Sequence, residues 1–303
     1  MRERLAIAIP FHAGLAYLAE AVASVRAQDD PEWSLLVVDD SGSESGARAL
    51  VQDLDDARVR FLANPSNLGM VPCWNRCLDE AGRERGGELV TLLHADDRLL
   101  PDYVARMKGL ARAHPRAVAL FCASVTIDAA GRRRFSLQDD VKRLFVPRAG
   151  SDAVLSGESG LRALMRGNFV ICPSLCWRRA LLGERRFEPR WRQVQDLELL
   201  ARLLLAGETL AGCREPAYAY RRHAESATAR QTESLLRFEE EFRVFEQIAD
   251  QARTLGWRRA ERTSRWKLIL RLHLGWRVAR ELARLRPSTA GRFASFLLGA
   301  RRP

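Results

Sequence analysis

The stretch Leu89-Val90-Thr91-Leu92-Leu93-His94-Ala95-Asp96-Asp97 decides the fold of this chain. Its apolar run predicts a buried strand, and two adjacent aspartates follow at the point where that strand ends. Neighbouring carboxylates at the edge of a sheet are unfavourable unless a positive charge lies close to them. In open α/β sheets this edge is also where ligands bind. The stretch therefore predicts a site for a divalent cation that carries a diphosphate.

Short apolar runs alternate with helical patterns on both sides of this stretch. The strand-like runs are Leu5–Ile9, Leu35–Val38, Val59–Leu62, Leu89–Leu93 and Val118–Ala123. The helical patterns are Leu15–Ala27, Ala47–Leu54, Met70–Ala81 and Tyr103–Ala113. This order predicts an α/β fold with a mostly parallel sheet, helices on both faces and right-handed connections.

The second half of the chain is less regular before it becomes helical after Tyr220. Residues Ala130–Ser159 are rich in Arg, Asp, Gly and Ser, and we expect this region to hold a loop on the acceptor side. The other predicted elements are a helix at Leu161–Arg166, a β-like segment at Pro173–Trp177 and a helix at Leu197–Ala206 that ends at Gly207.

Three polar clusters directly follow predicted strands. They are Pro10-Phe11-His12, Asp39-Asp40 and Asp96-Asp97. In a doubly wound sheet these strand ends converge on one crevice, where a carboxylate can accept hydrogen bonds from a nucleotide or bind Mg²⁺ or Mn²⁺. Asp39-Asp40-Ser41-Gly42 is also a common turn sequence, so a purely structural role for the first pair stays open.

The net charge of +11 is concentrated near the C-terminus. Residues 251–303 hold 14 basic and two acidic side chains, whereas the rest of the chain holds 35 basic and 36 acidic ones. The hydrophobic fraction of 47% is sufficient for a substantial core. Because the positive charge is confined to one segment and no nucleic-acid-binding signature accompanies it, we expect no nucleic acid partner.

The basic segment Trp257–Arg286 is predicted to be helical and amphipathic. A stripe of Arg277, Arg280 and Arg284 lies opposite an apolar set that consists of Leu268, Leu272, Ala279 and Leu282. Two interpretations stay open: the helix lies on an anionic membrane surface, or it packs its apolar face on the rest of the protein.

The chain has no run of about 18 uncharged apolar residues and no segment with the pattern of an export signal. We therefore expect a cytoplasmic protein, peripheral to the inner face of the membrane if the basic helix binds lipid. The six cysteines are expected to be free thiols. The pairs Cys73/Cys77 and Cys172/Cys176 leave a zinc site as the alternative, although the usual short zinc-ribbon spacing is absent.

The ordered series of motifs resembles the family 2 glycosyltransferases, which have the GT-A fold. The motifs that carry the resemblance are Ala6–Phe11, Ala21–Gln28, Leu36–Ser43, Asn64–Gly69, Asn75, Pro173-Ser174, Gln195–Leu199, Gly207 and Tyr220–His223. Each motif alone is short and unspecific, whereas the series is specific. We therefore divide the chain into a GT-A domain at residues 1–228 and a basic amphipathic helical extension at residues 229–303.

The resemblance implies an inverting enzyme that moves a sugar from a nucleotide-diphosphate sugar to an acceptor hydroxyl. The expected cofactor is Mg²⁺ or Mn²⁺. The expected acceptor is a glycan or a lipid-linked glycan, in the biosynthesis of a bacterial-type cell-surface polysaccharide, a lipopolysaccharide or another glycoconjugate.

The resemblance also implies the residues that bind the donor. Asp39 aligns with the carboxylate that reads the nucleotide base, and Pro10 and Phe11 line the base pocket. Asn67 belongs to the family's Asn-x-Gly element and is expected at the nucleotide sugar. Asp96 matches the aspartate on the side of the ribose or the metal.

The resemblance assigns two further aspartates to the reaction itself. Asp97 matches the last aspartate of the DxD motif, which holds the metal on the diphosphate. Asp196 matches the base that deprotonates the acceptor. The chemistry agrees, since a departing nucleoside diphosphate needs a Lewis acid and a hydroxyl nucleophile needs a positioned carboxylate. As Asp196 opens a predicted helix, a plain capping role is the alternative.

The chain departs from the family pattern at two positions. His94 stands where many members have the first aspartate of DxD, so His94 is a further candidate ligand. Gln195 stands where a glutamate usually precedes the base. His223 is a candidate metal ligand because relatives use a histidine there, and an ordinary surface histidine is its alternative. Trp191 is predicted either to stack on an acceptor sugar or to pack in the core.

Two other functions remain as alternatives at this point. A nucleotidyltransferase has a similar sheet but needs a basic, glycine-rich triphosphate loop after the first strand, and Pro10-Phe11-His12-Ala13-Gly14 contains no lysine or arginine. A non-catalytic nucleotide-sugar-binding partner in an envelope-assembly complex would retain binding without transfer.

Overall fold

The computed structural model describes residues 4–42, 45–83, 87–134, 152–222 and 235–297. The strands are β1 (Arg4–Phe11), β2 (Trp33–Asp39), β3 (Val59–Ala63), β4 (Gly87–Leu92), β5 (Arg98–Leu99), β6 (Ala117–Ile127), β7 (Asp152–Leu155), β8 (Cys176–Arg178) and β9 (Thr209–Arg221). The first seven helices are α1 (Leu15–Arg26), α2 (Ala47–Gln52), α3 (Met70–Ala81), α4 (Tyr103–Ala113), α5 (Gly157–Arg166), α6 (Arg179–Leu182) and α7 (Gln195–Leu205). Four C-terminal helices follow: α8 (Leu236–Thr254), α9 (Arg258–Trp266), α10 (Leu268–Ala283) and α11 (Pro287–Leu297).

These strands form one mixed sheet in the order β3-β2-β1-β4-β8-β6-β9-β5, and β7 also pairs with β9. The strands β3, β2, β1 and β4 run parallel to one another, as the alternation of strands and helices predicts. The short strand β8 is antiparallel to both of its neighbours, and β6 and β9 are again parallel. The predicted α/β class with helices on both faces is confirmed.

Alternation along the central strands explains why the sheet carries helices on both faces. In β1, Leu5, Ile7 and Ile9 belong to one buried apolar cluster, whereas Ala6 and Ala8 belong to the other. The first cluster lies under α1 and α4, and the second lies under α3, α5 and α7. Because successive side chains of a strand point to opposite faces, a strand without polar residues needs cover on both sides.

The four C-terminal helices are packed on the α/β part as well as on one another. Val244, Phe245 and Ile248 of α8 belong to the same buried cluster as α3 and α7. A smaller cluster joins α8, α10 and α11 through Leu235, Phe238, Leu274, Phe293 and Phe296. The domain boundary between residues 228 and 229 stays a prediction. Helix α8, which follows that boundary, shares the core of the α/β part.

The structure corrects the prediction of one continuous helix over Trp257–Arg286. Lys267 interrupts it in a left-handed conformation (φ 48°, ψ 36°), so that α9 ends before Lys267 and α10 begins after it. The Lys267 side chain is buried, pairs with Glu246 and lies 5.3 Å from the centre of the Phe242 ring. These contacts within the folded protein hold a backbone conformation that local helical propensity disfavours. No helix among the described residues has the length and hydropathy to cross a membrane.

Two glycines in helices provide a matched test of this packing. A Cβ at Gly160 in α5 would lie 2.7 Å from the backbone carbon of Leu155 in β7, whereas a Cβ at Gly109 in α4 would meet nothing within 4 Å. We expect Gly160→Ala to lower the free energy of unfolding by about 1–3 kcal/mol, because α5 must move off β7. Gly109→Ala is expected to raise it by about 0.5–1 kcal/mol. Urea unfolding of both variants measures the difference, and equal stabilities would contradict the packing of α5 on β7.

Candidate active site

The carboxyl ends of β1, β2 and β4 lie side by side at one edge of the sheet. Phe11 at the end of β1 is in register with Asp39 at the end of β2, and the backbone N–H of Asp40 donates to the Phe11 carbonyl (2.7 Å). On the other side of β1, the N–H of Leu93 donates to the Ala8 carbonyl (2.9 Å). The three polar clusters that follow these strands therefore lie next to one another at this edge of the sheet.

The two aspartates after β2 are buried and hold different parts of the backbone. Asp39 accepts a hydrogen bond from the backbone N–H of Ser41 (2.9 Å) and one from the Ser45 hydroxyl. The first of these contacts is the local turn bond that the sequence left open as an alternative. The use of Asp39, Pro10 and Phe11 to bind a base stays a prediction.

Asp40 anchors the loop that connects β3 to α3. Its Oδ1 accepts from the Asn64 amide (2.6 Å) and the Leu68 N–H (2.8 Å), and its Oδ2 accepts from the Gly69 N–H (3.0 Å). Asn67 lies exposed on this loop, and its Nδ2 is 3.2 Å from Nδ1 of His12. The Asn-x-Gly element is thus held over the end of β1, where we predicted Asn67 to meet the donor.

The side chain of Asp97 is almost completely buried at the end of β4. Its Oδ2 accepts from the Tyr218 hydroxyl (2.8 Å), and its Oδ1 accepts from the backbone N–H of Arg221 (2.7 Å). Burial and the charge of Asp96 raise the pKa of Asp97 well above its ordinary value, and the two hydrogen bonds oppose that shift. A cation close to this carboxyl would favour its charged form.

The guanidinium of Arg221 locks the loop that carries both aspartates. Its Nε donates to the carbonyl of Asp96 (2.6 Å), and its Nη1 donates to the carbonyls of Asp128 (3.2 Å) and Ala129 (2.9 Å). Its Nη2 pairs with Glu20 of α1, and its Cζ lies 4.6 Å from the centre of the Tyr17 ring. Burial would raise the pKa of Glu20, but Arg98 and Arg221 lower it below its usual value. The loop is thereby fixed to α1, β6 and β9 at once.

His94, Asp96 and Asp97 form a cluster that fits a divalent cation. One ligand atom from each lies within 4.8 Å of the others, and no other group of three His, Cys, Asp or Glu residues is close enough in the part of the chain that the structure describes. The His94 ring stacks on Trp74 at 4.9 Å. Its Nε2 is buried and has no hydrogen-bond partner among the described residues. Two carboxylates and a neutral imidazole suit Mn²⁺ or Mg²⁺.

Asp196 lies in the first turn of α7, where the helix N-terminus favours its negative charge. Its negative charge and that of Asp97 both affect the thiol of Cys172. Burial raises the pKa of Cys172 well above its usual value, and the negative charges of Asp196 and Asp97 raise it further. Both negative charges therefore affect the same half-buried thiol, while the roles of Asp196 as base and of Asp97 as metal ligand stay predictions.

The loop before α7 is held by a residue that the sequence did not single out. Glu240 of α8 is buried and accepts hydrogen bonds from the backbone N–H groups of Arg192 (3.0 Å) and Gln193 (2.8 Å). Trp191 is buried in the core, which supports the packing interpretation of this residue. A helix of the C-terminal segment thus positions the loop that leads into Asp196.

Sequence reasoning missed Arg221, Tyr218, Glu20 and Glu240. Their roles depend on partners that are far away in the chain, and only the Tyr220–His223 motif drew attention to this region. His223 and most of the predicted acceptor loop lie outside the described residues.

Comparisons with known proteins assign the family. Residues 6–184, more than half of the chain, match the model of glycosyl transferase family 2. The chain belongs to this family. The predicted resemblance is confirmed.

Two curated relatives match parts of the chain. An uncharacterised protein of Mycobacterium tuberculosis is 34% identical over 97 residues, which is 32% of this chain and 29% of the relative. The succinoglycan biosynthesis protein ExoO of Rhizobium meliloti is 29% identical over 205 residues, which is 67% of this chain and 56% of the relative. The chain therefore spans at most about half of the length of these relatives.

Solved structures share the fold at low identity. S. aureus TarS in complex with UDP-GlcNAc has a TM-score of 0.62 at 15% identity, covering 82% of this chain and 66% of that chain. The mannosyltransferase PcManGT from Pyrobaculum calidifontis, in complex with GDP-Man and Mn²⁺, has a TM-score of 0.60 at 15% identity, covering 100% of this chain and 89% of that one.

The buried contacts of Arg221 predict that its replacement by lysine destabilises the folded protein. A lysine keeps the charge, but one ammonium group is unable to reach Glu20, the Asp96 carbonyl and the Asp128–Ala129 turn together. We expect Arg221→Lys to lower the free energy of unfolding by about 2–4 kcal/mol, since buried acceptors lose their donors. Arg132→Lys in the same turn is the control, because the Arg132 side chain is 81% exposed. Chemical unfolding that shows equal stabilities for the two variants would contradict this role of Arg221.

Proposed function

We propose that this protein is an inverting glycosyltransferase that moves a sugar from a nucleotide-diphosphate sugar to an acceptor hydroxyl. The observation that carries the proposal is the match to glycosyl transferase family 2, together with the cluster of His94, Asp96 and Asp97 at the carboxyl edge of the sheet. A single displacement needs one carboxylate that holds the metal and another that acts as the base, and Asp97 and Asp196 are proposed for these two roles. The leaving diphosphate is then held on one side of the sugar, and the attacking hydroxyl is held on the other.

The donor is proposed to lie across the carboxyl ends of β1, β2 and β4. Pro10, Phe11 and Asp39 would contact the base, and Asn67 and Asp96 would contact the ribose or the diphosphate. The complexes of TarS with UDP-GlcNAc and of PcManGT with GDP-Man support a nucleotide sugar as the class of donor. The buried backbone contacts of Asp39 and Asp40 hold this surface in place before a ligand arrives.

A divalent cation is proposed to be held by Asp97, together with Asp96 and His94, and His223 remains a candidate ligand. When bound, such a cation stabilises the negative charge that develops on the departing diphosphate. The protein's own contribution is to keep the Asp97 carboxylate fixed between Tyr218 and the Arg221 backbone, so that little reorganisation is needed on binding.

Asp196 is proposed to accept the proton of the acceptor hydroxyl. The freed oxygen attacks the anomeric carbon as the bond from that carbon to the phosphate oxygen breaks, and the electron pair of that bond leaves with the diphosphate. One displacement inverts the anomeric configuration. Gln195 places an uncharged amide next to Asp196 in the chain, where a glutamate would add a second negative charge.

The acceptor is proposed to be a glycan or a lipid-linked glycan in the synthesis of a cell-surface polysaccharide or related glycoconjugate. The match to a succinoglycan biosynthesis protein supports this class of product. A cytoplasmic location is part of the same proposal.

Replacement of Asp196 separates catalysis from donor binding. We expect Asp196→Asn to lower kcat for transfer by about 10²–10⁴-fold, because the amide does not accept the hydroxyl proton. Affinity for a nucleoside diphosphate with Mn²⁺ should stay within about twofold, since Asp196 lies on the acceptor side. Release of nucleoside diphosphate from UDP- and GDP-sugars with glycan and lipid-linked acceptors measures the first quantity, and calorimetry measures the second.

Glu198→Gln is the matched control for this experiment. Glu198 lies in the same helical turn but pairs with Arg202 at 2.9 Å, so its neutral variant should keep normal transfer. Normal transfer by Asp196→Asn would remove Asp196 as the base. Nucleotide binding by the wild-type protein without transfer to any acceptor would instead favour a non-catalytic binding partner.

A further inference from the structure

Helix α10 exposes an apolar stripe to solvent. The stripe consists of Leu268, Leu272 and Trp276, which are 55%, 59% and 50% exposed. Since these residues are spaced four apart, they lie on one face of the helix. Large side chains at this level of exposure in adjacent positions are unusual on a protein surface that meets only water.

The stripe is not the face by which α10 is attached. Leu270 and Leu274 are buried, and Leu274 packs in the cluster with Phe238 and Phe293. Glu281 is buried on the same side. The sequence left open whether the apolar set of this helix packs on the rest of the protein. The structure shows Leu268, Leu272 and Leu282 exposed, while a different set of residues makes the attachment.

Large apolar side chains are also exposed just beyond both ends of α10. Trp266, the last residue of α9, is 67% exposed, and Leu285, just after α10, is 89% exposed. Within α10 itself, Leu268, Leu272, Trp276 and Leu282 form an exposed apolar band that runs most of the length of the helix. A helix of 16 residues is about 24 Å long, so the band is long enough to lie along a surface and too short to cross a bilayer.

The charges around the stripe have one sign. Arg271 flanks it on one side, and Arg280 and Arg284 flank it on the other, as follows from their positions on a helix of 3.6 residues per turn. The two acidic residues of the segment 251–303 do not border the stripe, because Glu281 is buried on the attached face of α10 and Glu261 lies in α9, where it is paired with Arg265. The surface therefore combines an apolar band with flanking positive charge.

We propose that this surface docks on an anionic lipid bilayer, with the stripe among the acyl chains just below the headgroups and the arginines on lipid phosphates. Tryptophan and leucine side chains partition favourably into this region of a bilayer. Basic residues close to it are attracted electrostatically to the anionic lipid headgroups. A second copy of the chain is a poorer partner, because two such faces would bring their arginines together.

The docking surface is joined to the candidate active site through packed elements. Helix α10 contacts α8 through Leu274 and Phe238, and Glu240 of α8 holds the backbone of Arg192 and Gln193 ahead of Asp196. Docking would therefore fix the orientation of the acceptor side relative to the lipid. This deepens the proposed function, on which it rests for the identity of the acceptor as a lipid-linked glycan.

Vesicle sedimentation with the full-length protein tests the proposal. We expect the wild type to bind vesicles of mixed phosphatidylglycerol and phosphatidylcholine more strongly than vesicles of phosphatidylcholine alone. Leu272→Glu should lower the partition coefficient about tenfold or more, because it places a charge in the stripe. Val154→Glu on β7 is the matched control, as Val154 is 47% exposed and the added charge is the same. Arg271→Gln with Arg284→Gln should reduce the preference for anionic vesicles.

The outcomes distinguish this inference from the proposed function. Absence of wild-type binding to both vesicles, or equal binding by Leu272→Glu and the wild type, would overturn the docking surface. So would a wild-type dimer in light scattering that Leu272→Glu converts to monomer without any vesicle binding. Nucleoside diphosphate affinity of Leu272→Glu should equal that of the wild type, so that failure of docking leaves the Asp196 experiment unaffected.

Discussion

The candidate site depends on the ion pair and the hydrogen bonds that the buried guanidinium of Arg221 makes. A fully desolvated arginine is tolerated only when its donors are satisfied, and here a carboxylate of α1, the Asp96 carbonyl and the turn after β6 satisfy them. The backbone N–H of the same residue meets Asp97. Segments that are distant in sequence are thus tied to the end of β9. The aspartate pair is held at the carboxyl edge of the sheet by this connection and not by the strand β4 alone.

The first half of the fold follows from local pattern, and particular elements show why. Helices Met70–Ala81 and Tyr103–Ala113 begin and end where the sequence predicts, because glycine or proline lies close to their ends and their apolar spacing is regular. The long strand Thr209–Arg221 was not predicted, since charged residues at 214 and 215 and Pro216 interrupt its apolar run. The break at Lys267 was also missed, because it is held by Glu246 and Phe242 in another helix.

The candidate site shows the same difference between features set by local sequence and features set by long-range contacts. The aspartates could be found because each follows a strand or opens a helix, which are local features. The groups that hold them could not be found in this way. Arg221 is next to Arg222 in a sequence that suggests exposed charge. In the structure it is buried, and its guanidinium pairs with Glu20, which is 201 positions away in the chain. Glu240 lies in a segment predicted to be an extension, yet it holds the loop before Asp196. Long-range partners of this kind leave no periodic signal.

The central claim is that Asp39, Asp97 and Asp196 surround one donor site. Anomalous diffraction from crystals grown with a nucleoside diphosphate and Mn²⁺ tests it most directly. The account predicts a manganese peak at coordinating distance from Asp97 or Asp96, with the base against Pro10, Phe11 and Asp39 and with the Asp196 carboxylate facing the β-phosphate across the space for a sugar. A peak away from both aspartates, or a base bound elsewhere, would contradict it.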